Sequence, residues 1–309
     1  PRGGPPSGKK GGPPSDAGVT KVDSCRVIDS PGRYQVTGQL NVEGDVSEPC
    51  IRVTSSDVRL YGERRAITEN AAANGTANLV GGETSGGAES IGVYVAPESG
   101  ESSIRNVIVS DLVVEDWTTG ILFENVEKGA VRNNIVTGNH VGVQVYGRQA
   151  SEITLEGNVL TSNGRAVAIE WANDSRVIDN EISGNLNGVQ IAESSDVRVT
   201  NNNIDANRGK PIELARNSRG NTIRGNTLRD NANGQITTDS SSRGNRISAN
   251  AISKSGRETP VFASSGLMGT ENNRARGAER GNASDGAKGN ARGAPGNLGV
   301  PAEENLGQF

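Results

Sequence analysis

An all-β solenoid is the fold class this sequence predicts. Three observations predict it: a repeat of 22 to 24 residues, apolar–polar alternation over short runs inside each repeat, and Asn and Gly at fixed intervals between those runs. Aligned on one asparagine, the motif returns as Asn134-Ile135-Val136-Thr137-Gly138-Asn139, Asn158-Val159-Leu160-Thr161-Ser162-Asn163, Asn180-Glu181-Ile182-Ser183-Gly184-Asn185, Asn202-Asn203-Ile204-Asp205-Ala206-Asn207 and Asn226-Thr227-Leu228-Arg229-Asp230-Asn231. Weaker copies open at Asp111 and Asn250. A fixed period of this length is the mark of stacked coils.

In chain order, residues 1–21 come first. Their Pro, Gly, Ser and Lys supply no apolar periodicity, so a disordered leader is expected. The solenoid is expected over residues 22–268. Near its start, Tyr34-Gln35-Val36 and Leu40-Asn41-Val42 read as a hairpin around Thr37-Gly38-Gln39. Ser55-Ser56-Asp57-Val58-Arg59 matches Ser194-Ser195-Asp196-Val197-Arg198, which starts the array just after Cys50.

Within each repeat an apolar residue stands three before the first Asn: Val131, Leu155, Val177, Val199, Ile223 and Ile247. Another stands two after it: Val136, Leu160, Ile182, Ile204, Leu228 and Ile252. Alternating pairs follow, Val143/Val145, Val167/Ile169, Val189/Ile191 and Ile212/Leu214. This is strand periodicity, and β-branched residues suit a pleated, half-buried surface. Asn and Gly accept left-handed backbone and are expected at the corners. An Asn recurring at one corner can bond through its amide to the copies above and below.

About 23 residues with three short strands and three corners make one turn of a single-stranded parallel β-helix. Turns would lie about 4.8 Å apart. A leucine-rich repeat has an overlapping period, but no stretch here has helical spacing. Val261, Phe262, Leu267 and Met268 are expected to cover the far end, because nothing later is apolar enough. Residues 269–309, rich in Gly, Asn, Ala and charge, are expected to be a disordered tail.

The repeat resembles that of the right-handed parallel β-helices of the pectate-lyase-like superfamily. The N-terminal part is similar to the secreted, NosD-like branch of archaeal and bacterial β-helix proteins. The likeness is carried by Ser24-Cys25-Arg26-Val27-Ile28-Asp29-Ser30-Pro31-Gly32-Arg33-Tyr34-Gln35-Val36-Thr37-Gly38 and Cys50-Ile51-Arg52-Val53-Thr54-Ser55-Ser56-Asp57-Val58-Arg59-Leu60, and the resemblance covers about residues 22–265. It is specific for fold and vague for function, since the superfamily holds lyases, hydrolases, epimerases and proteins of no known activity.

Cys25 and Cys50 are the only cysteines. They are either two buried thiols or a disulfide; the family context and the repeat-poor N-terminal position favour the bond, across a hairpin that caps the first open turn. A paired state implies maturation outside the reducing cytosol, hence a secreted or cell-surface protein. No membrane span is visible, and a chain that begins at Pro1 is expected to be a mature form with its signal peptide removed. Asn74, Asn173 and Asn282 lie in glycosylation sequons.

The chain of 309 residues holds 42 Gly but only 9 aromatics, as a solenoid of small aliphatic layers would. Net charge is −4, so no nucleic-acid partner is expected. The NosD-like resemblance implies copper, but one His (His140), one Met (Met268) and two Cys are a poor donor set; no metal site and no cofactor are expected. The nonapeptide array of a calcium-binding β-roll is absent as well.

The resemblance also implies work on polysaccharides from the outer face of a sheet. Alternation turns Phe123, Val145 and Ile169 inward, so Glu124, Tyr146 and Glu170 form an outward column on three consecutive turns. Gln144, Gln190 and Glu213 share a second column. Trp171 follows Glu170, and Trp117 and His140 read as one corner on adjacent turns. Glu124 and Glu170 would stand about 9.6 Å apart by turn spacing, near the ~6.5–9.5 Å of inverting glycosidases; the bland alternative is a solvated charged face. Trp117, Tyr146 and Trp171 offer apolar rings for a sugar, flanked by Gln144 and Gln190. A lyase would need a base, and no spacing singles out Arg148, Arg165 or Arg216. A non-catalytic polysaccharide or cell-envelope binder, or an extracellular scaffold, is therefore expected; the alternative is a lyase or hydrolase acting on an acidic polymer.

Overall fold

A computed structural model describes residues 18–43, 48–70 and 90–254. The chain coils as a parallel solenoid in which one turn supplies three short strands, for example Ala130–Arg132, Ile135–Thr137 and Val141–Tyr146. Stacked turn on turn, these build a 17-stranded sheet, a 9-stranded sheet and a 2-stranded sheet. The 9-stranded sheet takes one strand per turn in strict sequence order, from Arg26–Ile28 to Ile236–Thr238. No helix occurs among the described residues.

Register places like on like. Val131, Leu155, Val177, Val199, Ile223 and Ile247 are successive partners. So are Val136, Leu160, Ile182, Ile204, Leu228 and Ile252. Except for Ile247 and Ile252 in the last described turn, all of these are fully buried, so the core is a column of small aliphatics about one side chain deep per turn. That is why so few aromatics suffice.

The recurring asparagines do more than turn corners. They are buried and form two ladders. In one, the amide Nδ2 of Asn134, Asn158, Asn180, Asn202 and Asn226 donates to the Oδ1 of the next copy, ending on Asn250, at 2.9–3.1 Å. The other runs Asn139, Asn163, Asn185, Asn207 and Asn231 at 2.9–3.0 Å. Each backbone N–H donates to the same Oδ1, and each Nδ2 also reaches a backbone carbonyl of the preceding turn, as Asn180 does to Leu155 O at 2.9 Å. The left-handed bend sits one residue earlier, at Asn133, Gly157, Asp179, Asn201, Gly225 and Ala249. The fixed Asn is thus a buried hydrogen-bonding side chain, and the varied residue before it makes the turn.

The N-terminal turns differ, and the expected hairpin is not there. Gly32–Val36 and Leu40–Glu43 do not pair with each other; both lie parallel on the 13-residue strand Val58–Asn70. This strand is irregular between Tyr61 and Arg65, where Glu63 and Arg64 are left-handed. The array already begins with Val19–Val22, which pairs with Arg33–Val36, so strand structure enters the segment expected as leader. The Cys25–Cys50 disulfide is formed. Because Arg26 is the register partner of Ile51, the two cysteines are neighbours on consecutive turns, 25 residues apart in sequence and 4.5 Å apart at Cα. The bond ties turn one to turn two instead of closing a hairpin cap. Val261, Phe262, Leu267 and Met268, and the tail from 269, lie outside the described residues.

Candidate functional site

The 9-stranded sheet offers its outward side chains in straight columns because its strands are in register. Glu124 pairs with Tyr146 and Tyr146 with Glu170, so the expected column is present, each member half-buried over the buried Phe123, Val145 and Ile169. One corner further on, Trp171 follows Glu170. Its ring meets Tyr146 edge to face, with centroids 5.1 Å apart and planes at 80°. The indole N–H donates to the Glu193 carboxylate, Glu193 being the equivalent corner residue of the next turn. Trp171 holds a left-handed backbone with φ 55°, uncommon for so bulky a residue. On the preceding turn that corner is Gly147, φ 108°, where a Cβ would come within 2.3 Å of the Asn125 amide. The corner therefore stays bare beside Trp171.

The neighbouring column, that of Leu122 and Gln144, carries two residues not anticipated from sequence, Tyr94 and Arg52. Tyr94 donates its hydroxyl to the Glu124 carboxylate, and the Arg52 guanidinium lies 5.1 Å from the Tyr94 ring centroid. Burial pushes the Tyr94 phenol well above its usual range; the hydrogen bond to Glu124 and its charge push the same way, and Arg52 opposes them. The signal for Tyr94 was available: Ile91-Gly92-Val93-Tyr94-Val95 repeats the pattern of Val141-Gly142-Val143-Gln144-Val145. Glu193 was likewise findable, one repeat after Trp171.

Gln144 and Gln190 share a column, but with the buried Ala168 between them. Gln190 belongs to a second cluster, where its Nε2 donates to Glu213 at 3.0 Å and Lys210 forms an ion pair with Glu213. Burial alone would raise Glu213, but hydrogen bonds from Lys210 and Gln190, with the charges of Lys210 and Arg165, hold it below the usual carboxylate range. Arg165, Asn187, Val189, Gln190, Lys210 and Glu213 line a shallow hollow of about 220 Å³. A hollow of about 300 Å³ on the 17-stranded sheet is lined by Lys128, Arg132, Glu152 and Arg176 among others and has no aromatic wall.

Trp117 is a correction. It is 1% exposed and cannot stack on a sugar. Its N–H donates to Asn139 Oδ1 and its Nε1 to Ile67 O, both at 3.0 Å, so it heads the second asparagine ladder. Its counterpart is Asn139; His140, half-buried, falls one residue later, opposite Thr118. Asn173 is half-buried and its Oδ1 accepts the Ser195 N–H at 3.0 Å; Asn74 and Asn282 lie outside the described residues. Among the described residues no group of three His, Cys, Asp or Glu is disposed to hold a metal, and no helix is long and apolar enough to cross a membrane.

A family model described as "Right handed beta helix region" matches residues 91–252. No curated protein matches the sequence. Among solved structures, the enzymatically active domain of tailspike protein 2 from bacteriophage CBA120 aligns at a TM-score of 0.51 and 14% identity, over 75% of this chain and 38% of that one. DFA-IIIase from Arthrobacter chlorophenolicus A6, in complex with DFA-III, aligns at 0.47 and 14% identity, over 72% and 65%. A double mutant of the periplasmic alginate epimerase AlgG aligns at 0.45 and 11% identity, over 73% and 70%. The chain thus spans well under half of the tailspike chain, and at these identities the likeness is one of fold.

Proposed function

The chain belongs to the right-handed β-helix family, and from that premise we propose that it is a secreted or cell-surface polysaccharide-binding protein whose site is the outward face around Tyr146 and Trp171. The observation that carries the reading is the edge-to-face pair of Tyr146 and Trp171 at 5.1 Å, set among the carboxylates of Glu124, Glu170 and Glu193. An aromatic ring supplies an apolar platform for a sugar ring, and carboxylates beside it accept hydrogen bonds from sugar hydroxyls. The disulfide supports a location outside the reducing cytosol.

Catalysis by Glu124 and Glu170 is the weaker reading. Tyr146 fills the register position between them, where a scissile bond and its water would need room, and Glu124 already accepts the Tyr94 hydroxyl. A panel of neutral and acidic polysaccharides titrated with the full chain separates the two. Binding without turnover, weakened in Tyr146→Ala and Trp171→Ala, supports the binder. Release of reducing ends or unsaturated products that stops in the double variant Glu124→Gln, Glu170→Gln replaces it with an enzyme.

A further inference from the structure

The 17-stranded sheet carries a second surface of different character. Arg176, Arg198, Thr222 and Arg246 are successive register partners in one outward column. Arg224 stands two residues after Thr222 on the same strand, and so on the same face. Arg219 and Arg243 are bridged neighbours at the adjoining corner. All six arginines are exposed. Among the described residues the ion pairs are Arg132–Glu156 and Lys210–Glu213, so none of the six has a carboxylate partner. Turns up to that of Arg198 mix signs, with Glu156 beside Arg132 and with Glu152, Asp174, Glu181 and Asp196 exposed or half-exposed. From 216 to 254, by contrast, the chain carries seven basic residues and two acidic ones, Asp230 and Asp239. A chain of net charge −4 has gathered positive charge on one end of one face.

Like charges stacked on neighbouring strands repel and weaken the sheet, so the array calls for a partner that neutralises it. The choice of Arg over Lys at all six positions suits forked, two-point contact with oxyanions. Turn spacing of about 4.8 Å sets the guanidinium groups in a line, which suits a linear polymer better than a compact ligand. We propose that this face binds an anionic polysaccharide, a chain bearing carboxylate, sulfate or phosphate groups at regular intervals. Nucleic acid fits less well: no aromatic side chain stands on these turns to stack a base. The site is separate from the Tyr146–Trp171 face and does not depend on it.

The full chain is titrated with polygalacturonate, heparin and a phosphodiester-linked glycan, and with single- and double-stranded DNA, at several salt concentrations. At least one polysaccharide should bind more tightly than either DNA, the three arms telling which oxyanion it prefers. The triple variant Arg198→Gln, Arg224→Gln, Arg246→Gln should lose about tenfold or more in affinity. The slope of log K against log salt should fall by about 2, at ~0.7 per lost contact. Its thermal melt should stay unchanged or rise, because repulsion has been removed. The control triple Arg26→Gln, Arg59→Gln, Arg64→Gln lowers net charge equally on the first turns and should bind as the parent does. Equal losses in both triples, tighter binding to DNA, or no binding by the parent chain would overturn the proposal.

Discussion

The buried asparagine columns and the outward columns of the 9-stranded sheet are built by the same coil, yet they follow opposite rules. In the ladders the same residue returns turn after turn, because each amide must meet an identical amide about 4.8 Å away. In the outward column the residues change at every turn, Glu124, Tyr146, then Glu170. A solenoid thus separates its own maintenance from its outward chemistry: repetition marks what holds the coil, and departure from repetition marks what it presents to solvent. The two tryptophans state the contrast in one residue type. Trp117 replaces an Asn at the head of a ladder and is buried; Trp171 replaces a Gly or Glu at an outward corner and is half-exposed.

The largest expected effect follows from that pair. Trp117→Ala should cost about 3–5 kcal/mol of stability, by opening a cavity and stranding Ile67 O. Trp171→Ala should cost about 1 kcal/mol or less, since its side chain packs against one ring at the surface. Urea titration of both variants reads the difference, and equal losses would erase the contrast.

Next in size is the ladder itself. Asn180→Ala removes the acceptor of Asn158 N and Nδ2 and the donor to Leu155 O and Asn202 Oδ1. A loss of about 3 kcal/mol is expected, whereas Glu170→Gln should stay within about 0.5 kcal/mol of the parent.

The disulfide should act locally. Cys25→Ser, Cys50→Ser is expected to lose about 3 kcal/mol at most, with faster hydrogen exchange over residues 19–60 and unchanged protection over 131–228, because a repeat array is held by its nearest neighbours. Uniformly faster exchange would mean that the bond supports the whole coil.

The smallest effect is a titration. The folded-state pKa of Tyr94 is raised, so the stability it contributes is complete below the unfolded value of about 10 and declines as pH rises beyond it. Ultraviolet titration should show one tyrosine ionising after the others, and Glu124→Gln should bring it closer to them. A Tyr94 that ionises with the rest would remove its contact with Glu124.

These contrasts also explain what was legible beforehand. The inward aliphatics and the Glu124–Tyr146–Glu170 column could be read because strand alternation has a period of two and the repeat fixes the register. Trp117 reads as a surface platform in the sequence because an aromatic standing in an Asn column has that composition; only its place 22 residues before Asn139 gives it away. The N-terminal turns read as a hairpin because they lack the ladder asparagines, although the 25-residue spacing of Cys25 and Cys50 is itself one turn. The Tyr94–Glu124 and Trp171–Glu193 contacts depend on side-chain rotamers across turns, which no repeat pattern encodes.

The central claim is that the outward departures from repetition at Tyr146 and Trp171 form a polysaccharide site on a coil that does not need them. Isothermal titration of the arginine triple variant, in which the second surface is silent, with and without Trp171→Ala, using the polysaccharide that the triple variant binds best, tests it directly. The expected result is a loss of about tenfold or more in affinity, about 1.4 kcal/mol, with circular dichroism and melting temperature nearly unchanged. Undiminished binding in Trp171→Ala would contradict the claim.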